Sequence, residues 1–416
     1  ELESLFRKLV SVAMVVSLVM LTGAIVRNIH HPKLQILRDP VLFVSDLPRE
    51  LYREFFLGLE TTAPKLPSSV SGEAFDPMAF PMKVIYSHKG RVFSNQHLVE
   101  QAFRDEAFFF LDSNMQVAFS AKNNLLAKHV LKNDKFEVEW QLPIRYWHHN
   151  THIDQDGYIY SPTYFPMNGD NGEIEKTALL LSDILARDNG PPYADTKDSF
   201  RDDGVVVVDP DGDVVHKQSL TDLFVINGLE SLIYAGGLEV DPFHLNSVVP
   251  ATRDYGRVKK GDLLLSLRHK SMLLIYRPAT LEIIWHEVGP WLNQHSAKFD
   301  ENGNIYLFNN NVIETHYRRR RETGFILDKN EVLLHNIESG ITEEIQTCVD
   351  EEDLWTVTGG EVTISGSIMH IDFSNVQTQI LCDLNTMKKT ILLPDADSEG
   401  YAIPGTGYKI LNFSRL

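Results

Sequence analysis

Histidine, asparagine and arginine side chains recur beside strand-like apolar segments in the middle of the chain. They come where strands are expected to begin or end, so residues far apart in sequence could converge on one point. Imidazole can act as a nucleophile and a proton carrier, and guanidinium binds arrays of anionic oxygens. The pattern therefore predicts an anion site with a nucleophile. The four clusters are residues 147–152 (WHHNTH), 241–247 (DPFHLNS), 266–268 (SLR) and 293–296 (NQHS).

The overall charge limits what such a site can bind. The chain has 416 residues, of which 43% are hydrophobic, and a formal net charge of -18. This hydrophobic content is enough for a large core. The negative field would repel a polyanion, so a nucleic-acid partner is excluded and any anion must be bound locally.

Cysteine content and turn chemistry argue against a metal site. The only cysteines in the sequence are Cys348 and Cys382, so there is neither a disulfide framework nor a thiolate cluster. They could pair in an extracytoplasmic domain or remain two buried thiols. The Asp-rich turns lack the spacing and the distal Glu of a calcium loop. We expect no metal and no cofactor.

The N-terminal region predicts a membrane anchor. Residues 9–26 are uncharged and largely apolar, with Arg7 and Lys8 before them and Arg27 after them, and their length is near the minimum for a membrane span. A cleaved signal peptide is the alternative, although its apolar region is usually shorter. We expect an uncleaved anchor at 1–30 that places the rest on the extracytoplasmic (periplasmic) side, then a neck with a short helix at 31–80.

From residue 81 to 416 the sequence is typical of an all-β fold. Short β-branched runs alternate with turns, and a sustained helical period appears only near 176–187. An Asp-x-x-Gly turn occurs three times, at 154–157, 209–212 and 300–303, each before an apolar run. Glycine supplies the positive φ, and aspartate caps the turn.

Paired runs around polar turns predict hairpins at a regular interval. Dividing the region by a typical blade length gives six or seven blades, and we predict a six-bladed β-propeller. A two-domain β-sandwich is the alternative. In a propeller the inner strands bring the polar clusters to a central pocket. The predicted hairpins pair 273–276 with 282–285, 332–335 with 342–345, and 380–382 with 388–391.

These motifs, taken in order, resemble the arylsulfotransferase family of six-bladed propellers. The resemblance covers residues 147–311 well, and it covers the C-terminal blades only in their pattern of short apolar runs and turns. It rests on His148-His149 with Gly157, the Asp-x-x-His-x-Asn-Ser segment at 241–247, the run from Gly261 to Arg268, Ile284-Trp285, and Gln294-His295 with Asn302 to Ile305.

The resemblance implies transfer of a sulfuryl group from an aryl sulfate to a phenolic or other hydroxyl acceptor through a sulfohistidine. In that family pattern His295 is the nucleophile, Arg268 holds the sulfate oxygens, and His244 and Asn246 donate further hydrogen bonds. His149 is the acid and base, with His152 as the competing candidate. Ser296 stands where the resemblance leads us to expect an aspartate.

Two functions therefore remain open from the sequence. The first is a membrane-anchored arylsulfotransferase. The second is a non-catalytic propeller that serves as a binding or assembly platform for membrane-protein partners, because fold alone does not establish activity.

Overall fold

The computed structural model describes part of the chain, all of it within one compact unit, Pro64–Leu416. No helix among these residues is long and apolar enough to cross a membrane. The anchor predicted at 9–26 and the helices predicted within 31–80 and at 176–187 lie outside the described residues. Those residues are 73–74, 83–88, 91–94, 101–102, 108–111, 117–122, 125–132, 135–143, 149, 151–165, 202–234, 241–315, 323–326, 329–349, 354–374, 378–392 and 408–414.

The described part of the chain is almost entirely β-structure. The first eight strands are β1 (Glu73–Ala74), β2 (Lys83–His88), β3 (Arg91–Ser94), β4 (Gln101–Ala102), β5 (Phe108–Leu111), β6 (Val117–Lys122), β7 (Leu125–Lys132) and β8 (Lys135–Pro143). The next four are β9 (His152–Ile153), β10 (Ile159–Phe165), β11 (Asp202–Val208) and β12 (Val214–Ser219).

Two short helices, α1 (Leu220–Ile226) and α2 (Glu230–Tyr234), follow β12. The sequence pattern did not predict these helices, because each is shorter than the window in which helical periodicity can be detected. The side chain of Ser219 caps α1 by accepting a hydrogen bond from the Asp222 backbone N–H, and a buried aspartate, Asp202, accepts one from the Ser219 hydroxyl. Tertiary contacts, more than intrinsic propensity, therefore stabilise α1.

The second half of the chain continues the strand pattern. Its strands are β13 (Leu245–Pro250), β14 (Leu263–Leu267), β15 (Met272–Arg277), β16 (Glu282–Val288), β17 (His295–Phe299), β18 (Ile305–Asn309), β19 (Val312–Thr315), β20 (Thr323–Ile326), β21 (Glu331–Asn336) and β22 (Ile341–Glu344). The last strands are β23 (Glu361–Ser365), β24 (Ile368–Phe373), β25 (Thr378–Asp383), β26 (Lys388–Leu392) and β27 (Tyr408–Ser414).

The described strands form six sheets of four or five strands that succeed one another along the chain, with β19 and β20 as a separate hairpin. Pairing is antiparallel except between β1 and β26. The C-terminal strand β27 pairs with β2, so one sheet combines the two ends of the strand series. This succession of mostly antiparallel sheets confirms the all-β, propeller-like part of the prediction.

The predicted hairpins and turns are also confirmed. The hairpins correspond to β15 with β16, β21 with β22, and β25 with β26. In the third turn, Asp300 Oδ1 accepts the backbone N–H groups of Asn302 and Asn304 at 2.7 and 2.8 Å. Gly303 has φ +85°, and a Cβ there would lie 2.5 Å from the Tyr255 ring. Aspartate therefore caps the turn, as the sequence predicted.

Cys348 and Cys382, left open by the sequence, form a disulfide with a Cα–Cα distance of 5.7 Å. Both residues are buried in a hydrophobic cluster built from β18, β21 and the sheet of β23 to β26. The bond therefore joins the segment that follows β22 to strand β25 within this cluster.

Candidate functional site

Three histidines lie at the start of three strands from successive sheets. His295 is the first residue of β17, His244 directly precedes β13, and His149 lies three residues before β9. Strand β13 contacts both β17 and β9. The ends of these strands therefore bring the three side chains together, although up to 146 positions separate them in the sequence.

Irregular backbone at these strand ends positions the site. His149 and His244 have left-handed conformations with φ of 58° and 52°, and so does Ser296 with φ 54°. The register of β13 shifts between Leu245 and Ser247, which places Asn246 in an irregularity. The register of β17 shifts likewise between His295 and Lys298. Such bulges re-aim side chains next to functional sites, and left-handed non-glycine residues there are a strained feature that surrounding structure must hold.

The three imidazole rings form one cluster. His149 Nε2 and His244 Nε2 lie 3.0 Å apart, so one carries the proton and the other accepts it. Their ring centroids are 4.7 Å apart, and those of His149 and His295 are 6.2 Å apart. His149 thus lies between the other two rings, within reach of a group that His295 would bind.

Arg268 supplies positive charge to this cluster. It follows β14, whose last residue, Leu267, pairs with Leu245 of β13, and its backbone N–H donates to the His244 carbonyl at 3.1 Å. Only 1% of Arg268 is exposed. A guanidinium held in such a low-dielectric environment interacts with an anion far more strongly than a surface arginine does.

A further histidine, His269, holds Arg268 in place. His269 Nδ1 donates to the Asp241 carbonyl at 2.7 Å, so its Nε2 is the acceptor for Arg268 Nη1 at 3.0 Å. The pKa of His269 is lowered to about 3, first by burial and then by His244, so the ring stays neutral and can accept this hydrogen bond.

Asp241 connects His269 to His244. Its carboxylate Oδ2 accepts a hydrogen bond from His244 Nδ1 at 2.7 Å, and the His244 and His269 rings stack with centroids 4.3 Å apart. These three residues place a carboxylate oxygen and two ring nitrogens within 4.8 Å of one another, a set that could ligate a metal ion. However, Asp241 occupies Nδ1 of both rings and Arg268 approaches the remaining nitrogen of His269, so the arrangement fits a hydrogen-bond network better than a cation site.

Asn310, directly after β18, orients His295. Asn310 Nδ2 donates to the carbonyls of Thr356 and Gly359 at 3.2 and 2.8 Å, which turns its Oδ1 towards His295. His295 Nδ1 therefore donates to Asn310 Oδ1, at 2.6 Å. In the neutral ring the lone pair then belongs to Nε2.

The surroundings of His295 favour that neutral ring. The residue is 5% exposed, and burial lowers its pKa well below the ordinary value, with Arg268, His149 and His244 acting in the same direction. The Asn310 hydrogen bond opposes this shift only in part. An uncharged imidazole next to a buried guanidinium combines a nucleophile with an anion-binding group.

Residues 171–371 match the family model for arylsulfotransferase (ASST). The match confirms the resemblance predicted from the motifs. It includes His244, Arg268, His295 and Asn310, whereas His149 precedes it.

Solved structures resemble the chain only weakly. A protein of unknown function from Bacteroides caccae is 11% identical, with 81% of this chain and 99% of that chain covered and a TM-score of 0.46. A streptogramin B lyase is 9% identical, with 80% and 95% covered and a TM-score of 0.39. The Dos1 propeller is 9% identical, with 70% and 59% covered and a TM-score of 0.36. No curated protein matches the chain significantly. Similarity at this level says nothing about activity.

The two remaining sequence-predicted residues are Asn246, within the matched range, and His152, before it. Asn246 Nδ2 donates to the Gln294 carbonyl at 2.7 Å, directly before His295, so this side chain joins β13 to the start of β17. The His152 ring lies 6.1 Å from that of Tyr160, centroid to centroid. Burial, followed by the charge of Lys298, lowers the His152 pKa to about 4.

Ser296 has a structural role at the position where the resemblance predicts an aspartate. Its hydroxyl donates to the Val362 carbonyl at 3.1 Å and accepts from the Val362 N–H at 3.2 Å. Position 296 therefore joins β17 to β23, while Asn310 contacts the imidazole. Neither Asn310 nor His269 lies in a recognisable motif, so no sequence pattern predicted their roles.

Proposed function

We propose that this protein is an arylsulfotransferase-like enzyme that transfers a sulfuryl group from an aryl sulfate to a hydroxyl acceptor through a sulfohistidine. The observation that carries the proposal is the buried cluster in which neutral His295, oriented through Nδ1, lies beside Arg268 and His149. The family match over 171–371 supports this class of chemistry.

In the first half-reaction, the His295 Nε2 lone pair attacks sulfur, and the bond from sulfur to the aryl oxygen breaks. Arg268 binds the sulfuryl oxygens, where its planar fork matches charge that spreads over them. A protonated His149 donates a proton to the departing phenoxide and becomes neutral. His244, whose Nδ1–H donates to the Asp241 carboxylate, accepts a hydrogen bond from His149 Nε2 through its own Nε2 and so holds the acid in place.

In the second half-reaction, neutral His149 takes the proton of the acceptor hydroxyl. The acceptor oxygen attacks sulfur, the bond between sulfur and Nε2 breaks, and His295 is restored. Asn246 holds the backbone of the nucleophile segment through Gln294, and a role in sulfate binding would use its second N–H.

The architecture and location that accompany this function are also proposals. The six sheets and the pairing of β27 with β2 support a closed six-bladed propeller, because a blade that combines strands from both ends of the series closes the ring of blades. The disulfide supports an extracytoplasmic, periplasmic domain, since disulfides persist in oxidising compartments. The apolar segment at 9–26 would be its membrane anchor.

The proposal is tested with 4-nitrophenyl sulfate as donor and a panel of phenols as acceptors. Wild-type protein should release nitrophenol in an acceptor-dependent reaction and carry a sulfuryl adduct when the acceptor is omitted. The variant His295→Ala should do neither. A His286→Ala variant, which alters an exposed histidine on β16, should behave as wild type. Absence of turnover and of adduct in wild type would instead favour the non-catalytic platform.

A further inference from the structure

Asn310 occupies the place from which an acidic residue orients the imidazole in many catalytic histidine systems. Its Oδ1 accepts a 2.6 Å hydrogen bond from His295 Nδ1, and the side chain is fully buried. We propose that Asn310 is a positioning residue that makes Nε2 the attacking nitrogen and, because its amide is uncharged, keeps the sulfohistidine reactive. This inference rests on the proposed function.

The orientation of the amide is fixed from its other end. Both Asn310 N–H groups are directed at carbonyl oxygens, those of Thr356 and Gly359, so a flipped amide would bring Oδ1 against two acceptors. Each such buried mismatch would leave polar groups unpaired and so disfavour the flipped orientation. The amide therefore has one favourable orientation, and that orientation selects the Nδ1–H tautomer of His295.

The neutral character of Asn310 bears on the second half-reaction. When Nε2 carries the sulfuryl group and Nδ1 keeps its proton, the ring bears positive charge. A carboxylate at position 310 would stabilise that charge and so make the imidazole a poorer leaving group. An amide accepts the same hydrogen bond with a weaker stabilisation, which favours transfer to the acceptor oxygen.

The charged and ionisable groups around His295 also favour its neutral ring. Arg268 after β14, His149 before β9 and His244 before β13 all lower its pKa, whereas Asn310 raises it. A carboxylate in place of the amide would raise it further, because a negative charge favours the protonated ring.

The first test measures the tautomer directly and needs no turnover. Nitrogen-15 spectra of full-length protein labelled at histidine, assigned with His295→Gln, should show His295 protonated at Nδ1 and unprotonated at Nε2. In Asn310→Ala the two tautomers should mix. A wild-type spectrum with the proton at Nε2 would overturn the inference, even if the enzyme proved fully active.

The second test separates positioning from structure. Asn310→Asp should move the acid limb of kcat/KM to higher pH and increase the fraction of enzyme that carries the sulfuryl adduct during turnover. Asn310→Ala should lower kcat by about 10²-fold, as expected when a general base or nucleophile loses its orienting partner.

Asn330→Ala provides the matched control. Asn330 donates to the carbonyls of Asn310 and Thr356 and accepts the Thr356 N–H, so it supports the same segment without contacting His295. This variant should lose stability yet keep the wild-type pH limb and adduct level. If Asn310→Asp and Asn330→Ala gave the same profile, Asn310 would be only structural. If neither wild type nor any variant formed an adduct, the proposed function would be refuted. The tautomer measurement would still test the role of Asn310 independently of that result.

Discussion

Replacing Arg268 should weaken both sulfate binding and the neutrality of His295. The guanidinium is almost completely buried and makes a 3.0 Å contact with His269, so its orientation is set before substrate binds. Loss of a preorganised charged donor at a transition state costs about 3–4 kcal/mol, which corresponds to about 10²–10³ in rate. We expect Arg268→Met to lower kcat/KM for an aryl sulfate by that factor.

The same substitution should change the pH dependence. Arg268 lowers the His295 pKa, so its removal allows His295 to bind a proton at higher pH. The acid limb of kcat/KM should therefore move upward in Arg268→Met. Arg268→Lys keeps a positive charge but loses the planar fork, so it should lose rate while the acid limb stays near that of wild type.

Steady-state release of nitrophenol across a series of pH values measures both effects. Thermal unfolding of each variant supplies the control for folding, because a buried His269 nitrogen left without its donor costs stability by itself. The reasoning would be refuted if Arg268→Met retained wild-type kcat/KM, or if Met and Lys moved the acid limb equally.

Two predictions concern stability. Replacing Cys348 and Cys382 with serine should lower the free energy of unfolding by about 3–4 kcal/mol, because the bond closes a sequence separation of 34 residues. Denaturation with and without reductant checks this prediction. Free thiols in unreduced wild-type protein would contradict it. The pKa of His152 in the folded protein is about 4, which lies below the pKa of histidine in the unfolded chain. The unfolded chain therefore binds more protons as the pH drops from 6.5 to 4. The free energy of unfolding should fall over that range by at most about 3 kcal/mol. Denaturation at pH 7 and pH 5 should show a smaller difference in His152→Gln than in wild type or the exposed control His286→Gln, and equal differences would exclude this contribution.

Local patterns in the sequence predicted the features that local physics determines. The Asp300 turn follows from a carboxylate that caps backbone N–H groups two and four residues later, and the β15–β16 hairpin follows from two apolar runs around a polar turn. The convergence of the histidines was likewise predictable, because strand ends in a repeating β-fold tend to meet. These inferences needed only the positions of residues relative to their own strand.

The partners of those histidines could not be predicted in the same way. Whether Asn310 or residue 296 faces the His295 ring depends on the irregularity in β17, where Ser296 adopts a left-handed conformation and bonds to Val362. His269 contacts Arg268 only because a short 3-10 turn follows β14. Such choices depend on the register between strands, and a one-residue change reverses the side that a residue faces.

Burial explains how a chain of formal charge -18 could provide the proposed sulfate site. It keeps His295 and His269 uncharged, and it raises the pKa of Asp203 well above the ordinary carboxyl value, with Asp241 acting in the same direction. This direction favours the protonated carboxyl, which would not cancel the positive charge of Arg268. If His295 were instead charged, the site would bind sulfate more strongly but would lose the lone pair that attacks sulfur. A buried guanidinium beside a neutral His295 ring meets both requirements, since binding and nucleophilicity then come from different side chains.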